Sequence, residues 1–167
     1  MPQTPVDARP ELLAAVIDVA EHSLFAYSDA LDRGAFEAAI VAHPADWIRA
    51  RVAFRGPVGG VVEVALPASL ARDLAGAFAG EAPDALDGRA LVDFAGELAN
   101  MMCGAWLTRG FTAHAFDLAP PDVQDGLAAR AVLEPAADSD ALYLALNEVP
   151  VLVRLTWLRG PAGGEGA

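Results

Sequence analysis

Residues 91–108 read LVDFAGELANMMCGAWLT, a stretch that puts polar groups where a plain core helix needs none. At about 100° of rotation per residue, Asp93, Glu97, Asn100 and Gly104 fall within roughly 60° of one another on one helix face. Leu91, Phe94, Leu98, Met102 and Ala105 gather on the opposite side. The spacing predicts an amphipathic helix with a large apolar stripe facing inward and an outer stripe of two acids and an amide. Gly96 and Gly104 flank the polar stripe. Each glycine costs an exposed helix interior about 1 kcal/mol relative to alanine, so two of them beside a Glu/Asn pair imply close approach to the backbone by a partner.

Outward from this helix, Asp84 is the expected N-cap and Gly110, after Arg109, the expected stop. Upstream, Trp47–Phe54 and Val61–Leu66 read as strands of a hairpin joined by RGPVGG. That loop lacks the lysine-serine ending of a phosphate cradle and joins two strands. Ser69–Ala79 reads as a helix stopped by Gly80. Pro10–Leu31 has apolar residues at helical spacing and reads as one long helix stopped by Gly34, whereas 35–45 is open between a short helix and a connector. Downstream, Phe111–Leu118 and Ala128–Leu133 read as strands separated by a PPDVQDG turn. ALYLALNEVPVLVRLTWL reads as a hairpin turning at Asn147-Glu148, with Pro150 demoting the start of its second strand to an edge or bulge. This order predicts an α+β domain with helices covering one face of a mainly antiparallel sheet. Residues 10–158 form the expected single domain, and 1–9 and 159–167 the expected flexible tails.

Composition narrows the function classes. A chain of 167 residues with 54% hydrophobic residues suffices for one substantial core. A formal charge of −12, with basic residues scattered singly, disfavours nucleic acid as a partner. No apolar run approaches the roughly 20 residues that span a bilayer, so no membrane insertion is expected, and the amino-terminal residues carry no secretory pattern, so a cytoplasmic location is expected. The lone Cys103 reads as a buried hydrophobe. His22, His43 and His114 share no ligand spacing, so no metal site is expected.

The D-x-x-x-E-x-x-N spacing of Asp93, Glu97 and Asn100, followed about twenty residues later by Pro120-Pro121, resembles the signature of the CheC and CheX family of chemotaxis phosphatases. The runs GELANMMCG and FDLAPPDVQDG extend the resemblance, which spans residues 10 to 158, with the proline slightly nearer the asparagine than in the family pattern. No second motif of this kind occurs, since Asp18 and Glu21 have no asparagine at the matching offset; this is more similar to the single-site CheX than to two-site CheC. The resemblance implies a CheC/CheX-like fold and a phosphatase acting on the aspartyl phosphate of a CheY-like receiver domain, or a non-catalytic receiver-binding or flagellar-switch adaptor. It assigns catalysis to Glu97 and Asn100 and partner contact to Asp93, Gly96 and Gly104. It implies no cofactor of the chain's own, with Mg²⁺ on the receiver substrate, and a homodimer formed through edge strands near the carboxyl end.

Overall fold

Two antiparallel hairpins carry the sheet in the computed structural model, which describes residues 8–134 and 139–158. β2 (Trp47–Arg55) pairs along its length with β3 (Gly59–Pro67), and β6 (Ser139–Leu146) with β7 (Val149–Leu158). The second hairpin turns on Asn147 and Glu148, whose φ of 48° and 68° put both in the left-handed backbone region favoured in two-residue hairpin loops. β3 pairs with β7, joining the hairpins, and β1 (Ser28–Leu31) extends the β6 edge. The far edge of β2 is shared by β4 (Asp117–Leu118) and β5 (Asp122–Leu127), giving the order β1-β6-β7-β3-β2-β4 with β5 also on β2.

Alternation along these strands sorts the apolar side chains onto two faces. Ile48, Val52, Phe54, Val62, Val64, Leu144 and Val153 face the main core, under α1 (Arg9–Asp18), α3 (Ala68–Ala79) and α4 (Gly88–Gly110). Trp47, Ala65 and Leu152 face the other way, under the short α2 (Arg33–Ile40) and α5 (Ala129–Leu133). The three longer helices thus cover one face as the sequence predicts, and two short ones cover part of the second. Leu98, Met102 and Trp106 of α4 are almost wholly buried. Each such side chain stabilises the fold by about 1.5–3 kcal/mol.

Beside the smaller core lies a charged cross-strand row in which Arg51, Glu63 and Arg154 stand opposite one another on β2, β3 and β7. Arg154 Nη1 donates to Glu63 Oε2 at 2.9 Å and Nη2 to the Val132 carbonyl at 3.2 Å. Arg49 and Arg51 reach Glu63 Oε1 at 3.2 and 3.4 Å. Glu63 and Arg154 are both buried, so this carboxylate neutralises charge inside the sheet.

Several expectations are corrected. The first helix does not run to Leu31: it passes into a π turn at Val19–Ser23, Phe25 takes a φ of 53°, and Ser28–Leu31 is strand. Leu31 keeps helical spacing with Leu24 yet packs into the smaller core, a tertiary contact that overrides local periodicity. Gly34 lies inside α2, which is capped by Asp32 accepting from the Ala35 amide at 2.7 Å, and this helix fills much of the stretch left open. Phe111–Leu118 is strand only at its last two residues, Asp122–Leu127 is strand where a turn was expected, and Ala129–Leu133 is helix. By contrast the start of β7 is an edge as expected: Pro150 stands opposite Ala145 of β6 and beyond the last β3 partner, Leu152, so its missing N–H interrupts no bond to β3, and only the rest of the strand is interior. β1 covers β6 over Tyr143–Leu146 and leaves Ser139–Leu142 without a described strand on that side. Of the expected tails, residues 1–7 and 159–167 lie outside the described residues, and α1 begins at Arg9.

Candidate functional site

Helix α4 begins where Asp87 accepts a hydrogen bond from the Ala90 amide at 2.8 Å, satisfying one of the first-turn donors. Asp84, the expected cap, sits instead in a short 3-10 turn at Pro83–Ala85. From this start the helix runs 23 residues, with Arg109 in its last turn. Asp93 and Glu97 are exposed and Asn100 and Gly104 half-buried along one side, while Leu91, Phe94, Leu98 and Met102 are buried. Ala105 is half-buried and packs against the core.

Among the described residues, the side chains of Asp93, Glu97 and Asn100 form no hydrogen bond or ion pair within the chain. Some other surface acids are engaged locally: Asp32 and Asp87 cap helices, Glu37 pairs with Arg33, and Asp18 with His22 and Arg109, whereas Asp73, Glu81, Asp122 and Asp125 are as open as the stripe. The fold therefore leaves the stripe's two carboxylates and its carboxamide open to an external group. On one flank Phe78 of α3, 48% exposed, leans on Phe94 with ring centres 6.0 Å apart. On the other flank stands Pro121, just before β5.

The two glycines have different reasons to be there. A Cβ at Gly96 would lie 3.2 and 3.3 Å from Pro121 Cβ and Cγ. The body that approaches Gly96 is thus the chain's own Pro121 segment, which corrects its assignment to partner contact. A Cβ at Gly104 would meet nothing within 4 Å, so that backbone is open to solvent or a partner. Gly104→Ala should therefore stabilise the fold by up to about 1 kcal/mol through helix propensity. Gly96→Ala should instead destabilise by up to about 2 kcal/mol, since crowding Pro121 outweighs the same gain. Urea unfolding of both variants checks this: a Gly96→Ala protein as stable as Gly104→Ala would contradict the packing described.

Chemistry by the chain's other reactive groups is disfavoured. Burial pushes the Cys103 thiol up to about 12, so it stays protonated and is no nucleophile at neutral pH. No cluster of three or more metal-binding side chains occurs among the described residues, and none of their helices is long and apolar enough to cross a membrane. Sequence reasoning missed the aromatic surroundings of the stripe. Phe111 and Phe116, read as strand residues, pack edge-on to each other at 5.2 Å, and Phe111 to Trp106 at 5.8 Å. The signal was the glycine loop, for a Cβ at Gly56 would stand 2.6 Å from the Phe116 ring.

The comparisons give the family and the fold. The family described as chemotaxis phosphatase CheX matches residues 48–139, just over half the chain and including the whole α4 stripe. The chemotaxis protein CheX from Vibrio vulnificus superposes with a TM-score of 0.68 at 16% identity, covering 92% of this chain and 97% of that one. A CheX-CheY-BeF3-Mg²⁺ complex from Borrelia burgdorferi contains a chain matching with a TM-score of 0.63 at 16% identity, covering 93% and 100%. A CheC-like superfamily protein from Shewanella sp. PV-4 gives 0.62 at 17% identity, covering 93% and 100%. No curated protein sequence matches the chain.

Proposed function

This chain belongs to the CheX chemotaxis phosphatase family, and from that premise we propose that it accelerates hydrolysis of the aspartyl phosphate on a CheY-like receiver domain. The observation that carries the reading is the pair Glu97 and Asn100, one turn apart on a single open helix face, with side chains the fold does not use. The similar CheX found in complex with CheY, BeF3 and Mg²⁺ supports a receiver as the partner.

In the proposed reaction a water oxygen attacks phosphorus, the bond from phosphorus to the receiver's aspartyl oxygen breaks, and inorganic phosphate leaves as the carboxylate is restored. Little covalent chemistry is asked of the protein; positioning and electrostatics dominate. A carboxamide suits this task because its oxygen accepts a hydrogen bond from the water while its NH₂ donates to a phosphoryl oxygen. Asn100 takes this role. An acid there would repel the phosphoryl group. Glu97, about 4.5 Å away along the helix axis, pairs with a cation beside the receiver's phosphorylation site and fixes the docking register. Asp93 lies a further turn back and extends the same acidic contact. The Mg²⁺ belongs to the receiver substrate.

This division of labour predicts that Glu97→Ala weakens association with a receiver carrying beryllofluoride and Mg²⁺ by about 10- to 100-fold, the scale of a lost charge-assisted hydrogen bond. Asn100→Ala should weaken it less. Calorimetric titration of both variants tests the assignment: equal losses, or a loss only for Asn100→Ala, would overturn the roles, and a wild-type chain that binds no receiver would overturn the reading.

A further inference from the structure

We propose that a pocket at the carboxyl-terminal end of the α4 stripe receives one apolar side chain of the receiver and so selects which receiver the chain acts on. This rests on the receiver reading above. The pocket has a volume of about 270 Å³; Leu107, Phe111, Phe116 and Leu118 form its apolar walls and share the lining with the polar Thr108, Thr112 and His114 and with Gly104. That is below the roughly 300–1,000 Å³ typical of small-molecule sites. It has room for a single large side chain.

Its position fixes what that side chain accompanies. Gly104 follows Asn100 by four residues, about 6 Å along the helix axis, so the pocket continues the Glu97–Asn100 line on the side away from Glu97. The stripe therefore runs acid, amide, then a pocket with apolar walls beside threonine and histidine side chains. A complementary surface runs cation, phosphoryl group, apolar side chain, with the last about 6–10 Å from the phosphoryl group. Gly104 keeps the mouth open, since a Cβ there would meet no atom within 4 Å, and Leu118 is 38% exposed at the sheet edge.

The walls are already built. Phe116 packs edge-on to Phe54 at 6.1 Å, and Phe54 to Trp106 at 5.4 Å, so the rings behind the pocket are locked into the main core. A preformed cleft spares the ordering cost that weakens binding to mobile surfaces, and side chains filling such clefts dominate interface energetics. Glycine at the mouth serves a further end: any larger residue at 104 would narrow the entrance that the incoming group uses.

Gly104→Leu tests this directly, with Leu118→Ser as a second variant and circular dichroism reporting the fold. Binding to the beryllofluoride–Mg²⁺ form of the receiver should weaken at least tenfold for Gly104→Leu. An alanine scan of the receiver's exposed apolar residues near its phosphorylation site should find one whose loss weakens wild-type binding but adds little to Gly104→Leu, a coupling read by a double-mutant cycle. If both pocket variants bind like wild type while Glu97→Ala does not, the pocket inference fails and the receiver reading stands. If the wild type binds no receiver, both fail. Sedimentation showing that Gly104→Leu alters only self-association would overturn the inference in favour of a second copy as occupant.

Discussion

Asn100→Ala should slow receiver dephosphorylation at saturating receiver by about 10²- to 10³-fold, the loss of about 2.7–4 kcal/mol typical of one preorganised polar contact in a transition state. The fold should survive, because the side chain is half-buried and makes no hydrogen bond within the described residues. Alanine is also the better helix former, so the urea midpoint should stay level or rise slightly. An asparagine that merely decorates a solvated face would tolerate the change within about 0.5 kcal/mol of stability and leave hydrolysis untouched. The two outcomes differ by orders of magnitude in one rate.

Glu63→Leu should cost about 3–5 kcal/mol of folding stability, because it leaves the buried Arg154 without its countercharge. Against a total of about 5–15 kcal/mol for a typical domain, that removes a large share. The penalty is electrostatic, so Arg154→Met in the same chain should recover much of it. Urea unfolding of the single and double variants measures both quantities. A single variant within 1 kcal/mol of wild type would contradict the buried ion pair as the tie between β3 and β7. Since β3 also pairs with β2 beneath α4, the same variant should loosen the platform on which the stripe is held.

Legibility in the sequence followed how local the signal was. The α4 stripe was readable because a single helix carries it: Asp93, Glu97 and Asn100 need only a 3.6-residue period to share a face. The hairpins were readable for the same reason, since Asn147-Glu148 and the glycine loop after Arg55 are turn chemistry between alternating apolar runs. Elements decided by distant pairing were not. DVQDGL has poor strand composition, yet it lies along the otherwise open edge of β2 and becomes strand by pairing there. Phe111 and Phe116 resemble strand residues, but each ring enters an aromatic cluster whose other members come from β2, α4 and β7. Gly96 was legible as a close approach and misassigned as to the approaching body, because nothing in its neighbourhood shows that Pro121 returns to it. The same return places the proline of the family resemblance beside the helix motif.

Hydrolysis of a receiver's aspartyl phosphate, the reaction proposed for this chain, is tested most directly by the decay of radiolabelled phosphoryl-receiver in the presence of Mg²⁺. Each candidate receiver is followed with no addition, with the wild-type chain and with Asn100→Ala. Wild type should shorten the phosphoryl lifetime of at least one receiver in proportion to its own concentration, while Asn100→Ala should leave it near the intrinsic value. A wild-type chain that binds a receiver yet leaves every intrinsic decay unchanged would contradict the proposed reaction and leave the chain a receiver-binding adaptor.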